Sequence, residues 1–119
     1  MAIPSRVLAS GTSPLATTSI CGDGATALVA TGSSITDALQ LSAVWNTVTT
    51  SSASTGVILP PTEVGAMVGI RNDSGSTIIV YPKAGSTINA AASSLSVVTA
   101  KTVILFATSA TTWASVLTA

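Results

Sequence analysis

Apolar residues in this chain never stay together for long. Val57-Ile58-Leu59, Thr77-Ile78-Ile79-Val80-Tyr81 and Val103-Ile104-Leu105-Phe106 are each cut off by Pro, Gly or a Ser/Thr-rich stretch. Runs of this length are too short for an ordinary amphipathic helix, and their Val, Ile and Thr suit a pleated strand. Between Ala38 and Ala43 the chain alternates, with Leu39, Leu41 and Ala43 on one face and Gln40 and Ser42 on the other. The pattern continues through Val44, Trp45, Val48 and Thr49 with a change of phase such as a bulge produces. Ser34 and Asp37 mimic a capping box, which leaves a short helix over Ser34–Leu41 as an alternative there. Pro60 and Pro61 stop the run at 57–59 because neither can donate to a ladder.

A strand over 66–72 points Val68 and Ile70 inward, Asn72-Asp73-Ser74-Gly75 reads as a hairpin turn, and 77–81 is the return strand. Pro82 ends it, and further strands fall at 95–99, 102–108 and 113–117. Seven or eight short strands with turns between them predict an all-β fold: an antiparallel β-sandwich or jelly-roll/barrel-like domain over residues 25–119. Residues 1–24 hold Pro4, Gly11, Pro14, Gly22 and Gly24 without a sustained period, and predict an extended N-terminal arm. Its Ile3, Val7, Leu8, Leu15 and Ile20 are expected to dock, either on the same domain or on a neighbouring subunit.

The 119 residues suffice for one core. Charge is scarce: Arg6, Asp23, Asp37, Glu63, Arg71, Asp73, Lys83 and Lys101 make up 7% of the chain and cancel to zero. Spread over the roughly 5,800 Å² that a folded monomer of this mass exposes, these charges supply little self-repulsion. Ser, Thr and Ala, at 18, 19 and 19 residues, fill nearly half the chain instead. Mean hydropathy is +0.68, yet Ser or Thr interrupts every stretch before it could span a bilayer, so no membrane partner is expected. The N-terminal residues lack the apolar core of a signal peptide. Cys21 is the lone cysteine, so no intrachain disulfide can form.

Two strands are apolar on both faces: Thr77–Tyr81, with Ile79 and Tyr81 as its second set, and Val103–Phe106, with Ile104 and Phe106. A strand with one wet face should alternate. A second layer is therefore expected over them, from a loop of the same chain or from another copy.

Catalytic chemistry finds little material. Without histidine, Ser-His-Asp and Cys-His arrangements and nearly all zinc sites are excluded. The four carboxylates are scattered beside turn residues, and Cys21-Gly22-Asp23-Gly24 lacks the spacing of a phosphate or calcium loop. No catalytic residue, metal or cofactor is expected. Four basic residues balanced by four acids give no footprint for nucleic acid. The aromatic residues Trp45, Tyr81, Phe106 and Trp113 are expected mainly as core anchors. Thr47-Val48-Thr49-Thr50 suggests a threonine ladder, but no fixed repeat period accompanies it.

One run of landmarks carries a resemblance. Gly56-Val57-Ile58-Leu59-Pro60, Gly65, Asn72, Val80-Tyr81-Pro82, Gly85 and Ile88-Asn89, followed by Phe106 and Trp113, resemble small β-modules of tailed bacteriophages that occur as capsid decoration (cement) proteins and in head or tail fibres. The resemblance covers about two thirds of the chain. It implies a virion protein on the capsid exterior, usually a homotrimer, partnered by itself and by the major capsid protein. It implies no catalytic residue. Trp45, Leu59, Pro60, Asn72, Pro82, Gly85, Asn89 and Trp113 are the expected structural anchors. The alternative is an adhesion or carbohydrate-binding module of a head or tail fibre.

Overall fold

The computed structural model describes residues 3–118, except for the side chain of Ile20. Two short helices, α1 (Pro4–Ala9) and α2 (Pro14–Cys21), precede ten strands. These are β1 (Gly24–Val29), β2 (Leu39–Gln40), β3 (Trp45–Thr50), β4 (Gly56–Ile58), β5 (Met67–Asn72), β6 (Ile78–Tyr81), β7 (Thr87–Ile88), β8 (Leu95–Val97), β9 (Thr102–Ala107) and β10 (Thr112–Leu117). A large sheet has the order β1-β3-β5-β9-β10-β7 and a small one the order β2-β4-β6-β8. The protein is all-β in its core, as the strand-and-turn pattern predicts.

The connectivity differs from the expected antiparallel sandwich or jelly roll. From β1 to β6 the chain alternates between the two sheets, and each strand lies parallel to the one laid down a coil earlier. Strands of the large sheet begin at Gly24, Trp45 and Met67, a rise of about 22 residues per coil that is typical of solenoid stacking. After β6 the direction changes: β8 runs antiparallel to β6, β9 to β5 and β10 to β9, while β7 lies parallel to β10.

Asn72 explains why the expected hairpin is absent. A tight hairpin turn needs positive φ at its centre, and no residue from 72 to 76 has it. Asn72 is instead fully buried and turns the chain from the large sheet to the small one. Its Nδ2 donates to the carbonyls of Ser76 (2.9 Å) and Val97 (2.8 Å), and its Oδ1 accepts from the Ser74 N–H (3.0 Å). One amide thus ties β5, the corner and β8.

The alternative helix over Ser34–Leu41 is not formed. Asp37 closes a loop there, accepting from the backbone N–H groups of Ser33 (3.0 Å) and Ser34 (2.8 Å) and from the Ser34 hydroxyl (2.9 Å). The hydroxyl first, and then the two N–H groups, hold its carboxyl below the usual aspartate range. Gly32 makes room for this loop: its φ is +69°, and a Cβ there would lie 2.4 Å from the Asp37 carbonyl.

The interior lies between the sheets. Val48, Val68, Ile70, Val103, Leu105 and Trp113 face Val57, Ile78, Val80 and Val97, with Leu41, Leu59 and Ile88 filling the ends. Leu41 and Ala43 are buried while Gln40 and Ser42 are exposed, as the alternation requires. The change of phase falls between β2 and β3, where the chain crosses between sheets, so Asn46 and Val48 point inward and Trp45 outward.

The N-terminal segment is not extended. Pro4 and Pro14 sit in the first turns of α1 and α2, where a missing N–H costs nothing. Ser13 caps α2 by accepting from the Ala16 N–H at 3.2 Å. The helices pack on each other and touch the strands only slightly.

Replacing Asn72 by leucine keeps the volume but removes the donor to the Val97 carbonyl and the acceptor of the Ser74 N–H in the interior. Equilibrium urea unfolding is expected to show a loss of about 2–4 kcal/mol. A loss below about 1 kcal/mol would show that the corner does not depend on this amide.

Candidate assembly surface

The two sheets treat their outer faces differently. On the small sheet, Tyr81 lies across Gly56, where a Cβ would come within 2.6 Å of the ring. Its hydroxyl donates to the Ser33 carbonyl at 2.9 Å, and Lys83 donates to the Gln40 side-chain oxygen. The 31–38 loop and these polar groups close over the sheet, leaving Ile79 and Tyr81 half-buried. The second layer expected over this doubly apolar strand is thus drawn partly from the same chain.

Among the described residues, no such cover lies on the large sheet. Pairing registers place Trp45 beside Gly69, Gly69 beside Ile104, and Ile104 beside Val116. The next row joins Met67 to Phe106 and Phe106 to Ala114. Because strand side chains alternate, all these residues lie on the face opposite the buried Val68, Ile70, Val103 and Leu105. Trp45 is 43% exposed, Met67 37%, Phe106 41% and Val116 60%. Arg71, which alternation sets on this same face, pairs through Nε with Asp73 Oδ1 at 2.6 Å.

Trp45 is therefore not a core anchor, which corrects the sequence expectation. Its ring lies over Gly69, where a Cβ would fall 2.1 Å from ring atom Cε3. Glycine lets the indole lie flat on the sheet with its other face turned to solvent.

Two open grooves flank this face. One, of about 400 Å³, runs between α2 and the sheet and is lined by Thr18, Ser19, Cys21, Gly22, Val44, Trp45 and Met67. The other, of about 360 Å³, shares Val44 and Met67 with it and extends past Pro60, Pro61 and Glu63. Across α1 and α2, Ile3 and Val7 are half-buried, whereas Leu8 is 46% and Leu15 79% exposed. Ile20 lies outside the described side chains.

The remaining anchors are distributed between interior and turns. Leu59, Asn72, Pro82 and Trp113 are buried and Pro60 is partly so. The Trp113 indole N–H donates to Thr62 Oγ1 at 3.0 Å. Gly85 occupies a turn at φ +86°. Asn89 is exposed but binds Ser115 twice, donating to its hydroxyl (2.7 Å) and accepting from its N–H (3.0 Å). Sequence reasoning singled out Ile104 and Phe106 but missed Met67 and Val116. The alternation that set Val68 and Ile70 inward also sets Met67 outward.

Among the described residues, no three His, Cys, Asp or Glu side chains gather as a metal site would require. No helix among them is long and apolar enough to cross a membrane. Compared with known proteins, the chain matches no family model, no curated protein and no solved structure.

Gly69→Ala is expected to displace the Trp45 ring and cost about 1–3 kcal/mol in urea unfolding. In a Trp45→Ala background the same change should cost far less. Equal costs in the two backgrounds would contradict the contact.

Proposed function

We propose that this chain is a non-enzymatic structural subunit that works in a multi-subunit assembly. The observation that carries the proposal is the uncovered apolar face of the large sheet. The protein exposes 6251 Å², against roughly 5,800 Å² for a compact monomer of this mass. Aromatic residues and methionine at the centre of a face without net charge are the composition of a contact core.

The bacteriophage resemblance supplies the finer reading. The chain would be a capsid decoration protein on the virion exterior, a homotrimer that clamps the major capsid protein. Such a protein stabilises a shell by binding the assembled state better than the separated one. A rigid two-sheet body lowers the ordering cost of that binding.

A second reading, glycan binding on a fibre or capsid surface, is favoured by the flat, solvent-facing indole of Trp45. Trp113 is no longer a candidate for it, because its ring is fully buried. Glycan-array binding that vanishes in Trp45→Ala, with the fold intact, would select this second reading.

Static light scattering of the purified protein tests the main one. A stable species of three times the chain mass is expected. A monomer at every concentration would contradict the proposal.

A further inference from the structure

Resting on the reading of the chain as an assembling subunit, we infer that the α1–α2 hairpin of one copy docks on the large-sheet face of the next, around the groove beside Trp45. The occupant of the face is a second copy, and the contact is heterologous: hairpin on one side, face on the other.

Three observations lead there. The first is a pair of exposed apolar sets. Trp45, Met67, Phe106 and Val116 lie on the face, and Leu8 and Leu15 lie on the hairpin, all exposed. The sheet face meeting its own copy would leave Leu8 and Leu15 in water. Laying a hairpin on the face fills the groove of about 400 Å³ as well and covers both apolar sets at once.

The second is that the hairpin of the same copy borders the groove beside Trp45 without filling it. α2 ends at Cys21 and β1 begins at Gly24, and Gly22 sits against Val44, 3.5 Å from where its Cβ would be. The hairpin is pinned beside the start of β3, with the groove open between them. The quoted exposures of Leu8, Leu15, Trp45, Met67 and Phe106 already include it in that position.

The third is charge. Arg6 is the only charged side chain between Ile3 and Cys21. The grooves present Glu63, and Asp23 lies beside Val44, accepting from its N–H at 2.9 Å. The hairpin brings a cation to a rim that carries carboxylates.

Strand addition is the less suitable route. β1, the long free edge, is interrupted by register shifts around Ala27, whose φ is +57°, and bulged edges resist pairing. The edge strands β2, β7 and β8 have two, two and three residues, and where β7 leaves β10 uncovered beyond Trp113 the Ser115 N–H is already taken by Asn89 Oδ1. A heterologous contact closes into a ring when its rotation divides a full turn and otherwise runs on as a filament; a rotation of one third of a turn gives the trimer of the proposed function.

Complementation in solution tests the inference. Leu8→Asp/Leu15→Asp disables the hairpin, and Phe106→Asp/Val116→Asp disables the face; all four side chains are exposed, and circular dichroism verifies that each variant folds. By light scattering, each variant alone should fall to the chain mass. An equimolar mixture should show twice that mass, because one intact hairpin meets one intact face and no ring can close. If the hairpin variant assembles like the wild type, the heterologous contact is wrong while self-assembly stands. A mixture that stays at the chain mass also overturns it. If the wild-type protein is itself monomeric, the inference and the assembly reading fall together.

Discussion

The fold depends on two sheets closing on one dry interior, because no coil of this chain can bury its own apolar side chains. Val48 of one coil and Ile70 of the next gain a hydrophobic neighbourhood only when the chain has passed through both sheets and returned. Stacked coils share one continuous core in this way, and a terminal coil must be closed by something different. Here the reversal after β6 does that at one end, laying β9 along β5 and β8 along β6. Asn72 sits at that junction, so a single polar group couples the solenoid to its closure.

A shared interior leaves the outward side chains free for other uses, and the two sheets use them differently. The small sheet draws cover from its own chain, through Tyr81, Ser33, Gln40 and Lys83. The large sheet presents Trp45, Met67, Phe106 and Val116 to solvent. The same scarcity of charge that weakens self-repulsion makes such a face suited to contact with another protein surface.

Most strand positions were legible in the sequence because they rest on local chemistry, although β1 and β7 were not singled out. Pro60 stops β4, Pro82 follows β6, and alternation places Val68 and Ile70 inside. Connectivity was not legible. Asn72-Asp73-Ser74-Gly75 has the residues of a hairpin turn, and only tertiary burial of the Asn72 amide makes it a corner. The coil repeat stayed hidden because paired residues, Trp45 with Gly69 and Leu39 with Val57, are separated by unequal lengths of chain. The helices had a local signal that the search for long periods passed over: Ser13-Pro14 is a cap followed by a first-turn proline. For the candidate surface, periodicity identified Ile104 and Phe106, but Trp45 required knowing that Gly69 lies beside it in the neighbouring coil.

Covalent footprinting tests the central claim most directly, that the outer face of the large sheet is hidden in the working protein. Hydroxyl-radical labelling of Met67, Trp45 and Phe106 can be followed from dilute to concentrated protein, with the exposed Val98, just past β8 of the small sheet, as reference. The account predicts that labelling of the first three falls severalfold as copies assemble, while Val98 keeps its rate. Equal labelling of Met67, Trp45 and Phe106 at every concentration, at rates matching their exposure in a single copy, would contradict it.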